Sequence, residues 1–201
     1  MSKRGVFVFF LLSTFSFSQD VEWELWSKME YRYKVNKQAT ISFEPGSRYS
    51  FSPILFSRQF LDFSSTYKIK KSVSLESGFR FTKNPDQELL GQRIYVTIFY
   101  KPDFDKYSFS WRMRFSSEKN VVSYHRQYFR NKVSLGYRFS DFFQPYLESE
   151  YLYGINSVTK NKFRVGFGNQ FKFSKSVSLK IFYRLQDRQQ RVLGIYISKK
   201  V

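Results

Sequence analysis

The chain has 201 residues, with 34 Lys and Arg against 16 Asp and Glu, a formal net charge of +18, 21% aromatic residues and no Cys. One domain is the natural count at this length, and the lack of Cys excludes disulfides and thiolate metal sites. A basic balance of this size raises nucleic acid or an anionic surface as partner. The cations, however, sit at alternate positions along the whole chain rather than on one patch, which argues against nucleic acid although Tyr and Phe could stack on bases.

The N-terminus predicts export. Lys3 and Arg4 precede an uncharged apolar run from Val6 to Leu12, and in Ser16-Phe17-Ser18 the two serines then supply small residues at the positions a signal peptidase reads. The expectation is a signal peptide over 1–18 and a mature domain over 19–201, whose net charge is about +16 once Lys3 and Arg4 are gone. The apolar run is shorter than the about 20 residues a helix needs to span a bilayer, and no later segment offers such a helix. A membrane location would have to be held by strands.

From Glu22 onward the sequence alternates. Trp23, Leu25, Met29, Tyr31 and Tyr33 share one face of the first candidate strand, opposite Glu22, Glu24, Lys28, Glu30 and Arg32. A period of two is the pattern of an extended strand between an apolar and a polar medium. The second strand sets Ala39, Ile41 and Phe43 against Thr40, Ser42 and Glu44, and Pro45-Gly46 is expected to bend or loosen it near its end. Leu61 to Tyr67 forms a third strand, followed by a tight Lys70-Lys71 turn and a fourth strand with Val73, Leu75, Phe79 and Phe81 on one face. The fifth turns Ile94, Val96, Ile98 and Tyr100 one way and Arg93, Tyr95, Thr97 and Phe99 the other, a less polar set than its counterparts.

The second half is more regular. Phe109, Trp111, Met113 and Phe115 alternate with Ser110, Arg112, Arg114 and Ser116 in a sixth strand. A seventh opposes Phe129, Val133, Leu135, Tyr137 and Phe139 to Arg126 through Arg138, and an eighth sets Leu147, Tyr151 and Tyr153 against Tyr146, Glu148 and Glu150. The ninth and tenth carry Phe163 to Phe173 and Val177 to Leu185 against Lys162, Arg164, Lys172, Lys180, Arg184 and Arg188. Leu193, Ile195 and Ile197 close the chain.

A soluble β-sandwich alternates too. Three features favour an all-β, antiparallel up-and-down transmembrane β-barrel of about 10–12 strands. Segments are often about ten residues long, the length of a tilted bilayer-crossing strand. Tyr31, Tyr33, Tyr67, Tyr100, Tyr107, Tyr151 and Tyr153 lie near strand ends, where an interfacial girdle belongs. Connections read as tight near Asn36, Lys70, Asp141 and Lys175 and longer near Pro53, Asn84, Asn120 and Ser157, as in outer-membrane barrels. Eleven segments can be counted, whereas single-chain bacterial barrels are normally even-numbered, so ten or twelve is the expectation.

Several short motifs carry a resemblance. They are Trp26 with its following Lys-rich turn, Glu44 and Arg48, Gly78-Phe79-Arg80, Trp111-Arg112-Met113-Arg114, Tyr128-Phe129-Arg130, Pro145 to Glu150, and Phe163-Arg164-Val165-Gly166. Together they resemble a Bacteroidota family catalogued as domain of unknown function two-four-nine-zero, over nearly all the mature chain. The resemblance implies an outer-membrane barrel and brings no activity or catalytic residue. The chain departs from the usual barrel C-terminus by ending in Lys199-Lys200-Val201 rather than in an aromatic residue.

Little catalytic chemistry is legible. There is one His, no metal-ligand spacing and no phosphate-cradling Gly loop, so no metal or cofactor is expected. Ser123 and His125, with Glu118 or Glu150 as an orienting acid, are the one arrangement fit for a rim-located lipid- or lipopolysaccharide-modifying enzyme. Proximity in sequence does not supply the hydrogen-bonded geometry a nucleophile needs, and the expectation is a non-enzyme. The polar faces bring Glu44, Arg48, Glu76, Arg80, Arg112, Arg114, Arg130, Arg138, Glu148, Glu150, Arg164 and Arg184, with Glu118, into a lumen charge network. In a narrow barrel, facing Arg and Glu are expected to pair and fill the lumen. A pore, should one remain, would prefer anions. The reading is a small outer-membrane barrel with a structural or interaction role, in contact with membrane lipid and lipopolysaccharide. A narrow anion-permeable pore and a rim enzyme are the alternatives, and a soluble periplasmic barrel comes last.

Overall fold

A computed structural model describes residues 21–51, 54–85, 90–119, 125–156, 160–187 and 190–201. Alternation becomes eleven strands over these residues: β1 (Glu22–Lys34), β2 (Ala39–Phe51), β3 (Ile54–Lys68), β4 (Val73–Lys83), β5 (Gly91–Tyr100), β6 (Tyr107–Lys119), β7 (His125–Tyr137), β8 (Phe143–Gly154), β9 (Lys162–Lys172), β10 (Val177–Gln186) and β11 (Gln190–Lys200). Chain neighbours pair antiparallel, and β11 closes onto β1 to complete a barrel. The expected signal peptide lies outside the described residues.

The even count expected from the sequence is corrected to eleven. β1 is a full strand of 13 residues. With an odd number, first and last strands run the same way, so the closing pair must be parallel. It is parallel from Glu22↔Gln190 to Arg32↔Lys200. A parallel ladder satisfies backbone groups as an antiparallel one does, only slightly less favourably, so closure leaves no open edge to lipid.

The barrel is inside out relative to a soluble protein. Among the described residues only Phe60, Tyr95, Leu152 and Val192 are buried hydrophobics, whereas 13 polar or charged side chains are buried, Glu150 and Arg164 among them. Outward, Ile94, Leu135, Leu147 and Phe163 are each at least half exposed. An apolar exterior and a polar interior suit strands between lipid and an aqueous or charged lumen. The fifth strand faces as its sequence predicts: Ile94, Val96, Ile98 and Tyr100 are exposed, while Tyr95 and Thr97 are buried.

Two local features differ from the sequence expectation. Pro45 interrupts the β1–β2 ladder, which skips from Lys28↔Gly46 to Tyr31↔Phe43, because Pro has no N–H to donate. The strand nevertheless continues to Phe51, held on its other side by β3, with Pro45 opposite Leu61. β3 begins at Ile54 rather than Leu61, so the connection near Pro53 is short, with Phe51 opposite Ile54. A bulge at Arg48/Tyr49, where Arg48 pairs Arg58 and Tyr49 pairs Phe56, absorbs the extra residue Ser57.

One rim carries the connections 35–38, 69–72, 101–106, 138–142 and 173–176, and the other carries 52–53, 84–90, 120–124, 155–161 and 187–189. Only two of the second set are longer than any of the first, so the expected short-versus-long asymmetry is weak. The first rim is ringed instead by aromatics. Tyr107, Tyr137, Phe139, Phe143, Phe171, Phe142 and Phe173 touch in sequence, with centroid separations of 4.9–6.0 Å.

Candidate functional site

The lumen is built by the even-numbered residues of most strands and, through a parity change in the connection 84–90, by the odd-numbered residues of β5. It encloses a cavity of about 1080 Å³, lined by 18 Lys and Arg against eight Asp and Glu. Its lining reaches Glu24, Arg126 and Gln190 at one mouth and Arg32, Lys101 and Lys200 at the other.

The acids are heavily shared. Glu150, 2% exposed, accepts from Arg112 at 2.6 Å, Arg130 at 2.8 Å and Arg164 at 2.8 Å. Glu148 takes Lys132 and Arg184, each at 2.5 Å. On the opposite wall Arg80 bridges Asp62 at 2.5 Å and Glu44 at 3.5 Å, and Glu44 also holds Lys28 at 2.7 Å. Arg114 reaches Glu76 at 2.8 Å and donates to Thr97 Oγ1 at 2.7 Å.

Register explains how. Glu76, Thr97 and Arg114 form one row across β4, β5 and β6, and the small Thr97 lets the outer two meet over it. Glu148, Gly166 and Arg184 form another across β8, β9 and β10. A Cβ at Gly166 would stand 3.3 Å from Glu148 Cγ and 2.8 Å from the Tyr183 carbonyl oxygen, so the position must stay bare for that pair to close over it.

The pairing does not cross the lumen. Among the described residues, every ion pair between strands joins neighbours or next-but-one neighbours, so each lies along the wall. Rings lie along it too. A Cβ at Gly46, Gly78 or Gly194 would overlap the ring of its cross-strand partner Phe60, Tyr95 or Phe182, so these aromatics pack down over bare backbone. Facing Arg and Glu thus pair, as expected from the sequence, and the pairs run along the wall that lines the cavity.

A family model described as "Protein of unknown function (DUF2490)" matches residues 23–192. The chain belongs to this family. Among solved structures, the DUF2490 barrel is similar to the NanC porin, at 13% identity and a TM-score of 0.59, over 90% of this chain and 98% of that one. Weaker likenesses are to an anion-selective porin from Comamonas acidovorans and to the translocator domain of the autotransporter NalP from Neisseria meningitidis. The first has 10% identity and a TM-score of 0.45, over 85% of this chain and 54% of that one. The second has 9% identity and a TM-score of 0.48, over 79% and 71%. At 13% identity the likeness to NanC is one of fold. No curated protein matches the chain.

Of the residues the sequence assigned to the DUF2490 lumen, Glu44, Arg48, Glu76, Arg80, Arg112, Arg114, Arg130, Glu148, Glu150, Arg164 and Arg184 line the cavity, as does Glu118. Arg138 does not. β7 ends one residue before it, and Arg138 lies on the rim, donating to the Asp105 carbonyl at 2.8 Å and facing Asp103 at 3.6 Å. Ser123 falls outside the described residues, and of His125 only the backbone, opening β7 opposite Lys119, is described. No cluster of His, Cys, Asp and Glu fit for a metal occurs among the described residues.

Sequence reasoning missed the lumen roles of Trp26, Arg58 and Asp62. Trp26 shares the parity of Glu24 and Lys28, so the period of two was a sufficient signal. Arg58 was hidden in the segment read as a long connection. Asp62 lay opposite Leu61 and Phe63 in a strand whose polar face is mostly Ser and Thr.

Proposed function

We propose that this DUF2490 member is a non-enzymatic outer-membrane barrel whose lumen passes small anions. One observation carries the reading: a rim-to-rim lining with 18 cations against eight acids, whose ion pairs run along the wall and leave about 1080 Å³ between them. Rings of fixed positive charge favour anions in a pore, and a low-dielectric surround extends their reach. The fold neighbour NanC is described as a porin, which agrees with the reading at the level of fold. The signal-like N-terminus and the outward apolar belt support the outer membrane as location.

Lipid contact follows from the aromatic rim. Beyond its girdle stand exposed Lys37, Lys70, Lys71 and Lys175, suited to the phosphates of lipid or lipopolysaccharide headgroups. The experiment is direct. Purified protein in a planar bilayer should conduct, and the same preparation should run as a heat-modifiable band from the outer-membrane fraction. A folded, membrane-derived protein that never conducts would return the lumen to the structural role expected from its sequence.

A further inference from the structure

The cations of the lumen are unevenly compensated. Arg80, Arg112, Arg114, Arg130, Arg164 and Arg184 each hold a carboxylate. Among the described residues, Arg48 and Arg58 have no carboxylate at ion-pair distance. They are direct cross-strand partners on β2 and β3, both on the lumen face, where opposed like charges repel. Arg58 Nε donates to the neutral Asn84 Oδ1 at 3.1 Å. The Arg48 guanidinium lies 3.9 Å over the Trp26 indole, and its Nε is buried without a hydrogen-bond partner. Ser57, the extra residue of the adjacent bulge, has a buried Oγ that is likewise unpartnered.

The surroundings are mixed. Arg48 faces Arg58, Arg80 and Arg164 against Glu24, and Arg58 faces Glu118 and Glu24 against Arg93 and Arg80, with Glu118 itself held by Arg93 at 2.7 Å. Glu24 accepts the Trp26 indole N–H. Trp26 also has the Arg184 and Arg164 guanidiniums at 5.2 Å and 5.6 Å from its ring, so one indole gathers three cations. Nε of Arg93, Arg112 and Arg130 is unpartnered too, but each of those guanidiniums holds a carboxylate through its terminal nitrogen, whereas Arg48 holds none. Bulges concentrate where side chains are re-aimed toward sites.

We propose that Arg48 and Arg58, seated by Trp26 and the Arg48/Tyr49 bulge, form an oxyanion-binding subsite in the lumen that takes the carboxylate or phosphate group of a small solute. Guanidinium forks match both groups bidentately. The bound anion supplies the carboxylate-like partner that Arg48 and Arg58 lack, since Glu44 and Asp62 on the same strands are taken by Lys28 and Arg80. The subsite deepens the pore reading by naming the chemical class of what dwells in it, and rests on that reading for its role in transport. Its test does not.

The test measures unfolding of the purified barrel in detergent, by its heat-dependent gel shift, in sodium chloride, phosphate or succinate at one ionic strength. The wild type should unfold at a higher temperature in phosphate or succinate than in chloride, with a saturable dependence. A rise with phosphate alone assigns a phosphate group, and one with succinate alone a carboxylate; either supports the subsite. Arg48→Gln and Arg58→Gln should each weaken the apparent affinity about 10-fold or more. Each should also raise the midpoint in chloride, since the repulsion is relieved. Arg48→Lys keeps the charge without the fork, and should weaken binding in a barrel that folds normally. Equal midpoints in all three salts for wild type, or a phosphate effect undiminished in Arg48→Gln and in Arg48→Lys, would overturn the proposal. A barrel that binds but does not conduct keeps the subsite and loses the pore, and one that conducts without discriminating oxyanions does the reverse.

Discussion

Two stretches of the lumen wall face the same problem, guanidiniums turned into the lumen, and meet it differently. Across β6 to β10, Glu148 and Glu150 lie among Arg112, Arg130, Lys132, Arg164 and Arg184, and each carboxylate is shared by two or three cations at hydrogen-bond distance. Across β1 to β3, Arg48 and Arg58 oppose each other with an indole and an amide for company. On the first wall every guanidinium named holds a carboxylate along the surface, although Nε of Arg112 and of Arg130 has no partner. On the second the two guanidiniums have no carboxylate of their own, which is the difference the proposed subsite rests on.

The sharpest way to break this contrast is at Glu150. Glu150→Ala strips three buried guanidiniums of their common acid, and removing one partner of a buried pair costs about 3–5 kcal/mol. The heat-modifiable band should be lost or shifted to much lower temperature. On the other wall, Arg48→Gln removes no carboxylate partner, so its midpoint should not fall. Equal losses in the two variants would erase the distinction between the walls.

A smaller effect is expected from the bare positions that let ion pairs and rings hug the wall. Gly78→Val would drive the Tyr95 ring off the backbone it covers, at about 1–3 kcal/mol for overpacking. It should also lower single-channel conductance by pushing the ring inward. An unchanged current in a folded Gly78→Val barrel would show that the rings do not set the open width. Weakest of all should be Arg138→Ala. This rim residue faces an exposed Asp103 at 3.6 Å, a pairing worth about 0–1 kcal/mol. Neither melting nor selectivity should move measurably.

Much of this was legible in the sequence, for a physical reason. A period of two fixes strand identity and facing together, so Phe109 to Phe115, Glu148, Glu150, Arg164 and Arg184 could be assigned inward or outward without knowing their neighbours. What the period cannot convey is lateral register. Whether Arg184 reaches Glu148 across Gly166, or a partner across the lumen, depends on which rows align, and that is set by pairing between strands distant in sequence. The odd count and its parallel closure between Glu22–Arg32 and Gln190–Lys200 are non-local in the same way. Pro45 does loosen the ladder on the β1 side, but β3 holds the other, so the strand runs on to Phe51 instead of ending nearby, and the connection near Pro53 is short. The longer connection expected there took in the first part of β3, and Arg58 with it. Arg138 erred by one residue, at a strand end, where alternation outlasts the ladder.

The central claim is that the lumen is open and net positive because its ion pairs follow the wall. The reversal potential of the wild-type barrel in a planar bilayer, under a potassium chloride gradient, tests it most directly. The account predicts a current whose reversal potential has the sign of chloride preference, reduced when Arg48 and Arg58 are both changed to Glu. A cation-selective current, or a correctly folded barrel that passes no current at all, would contradict it.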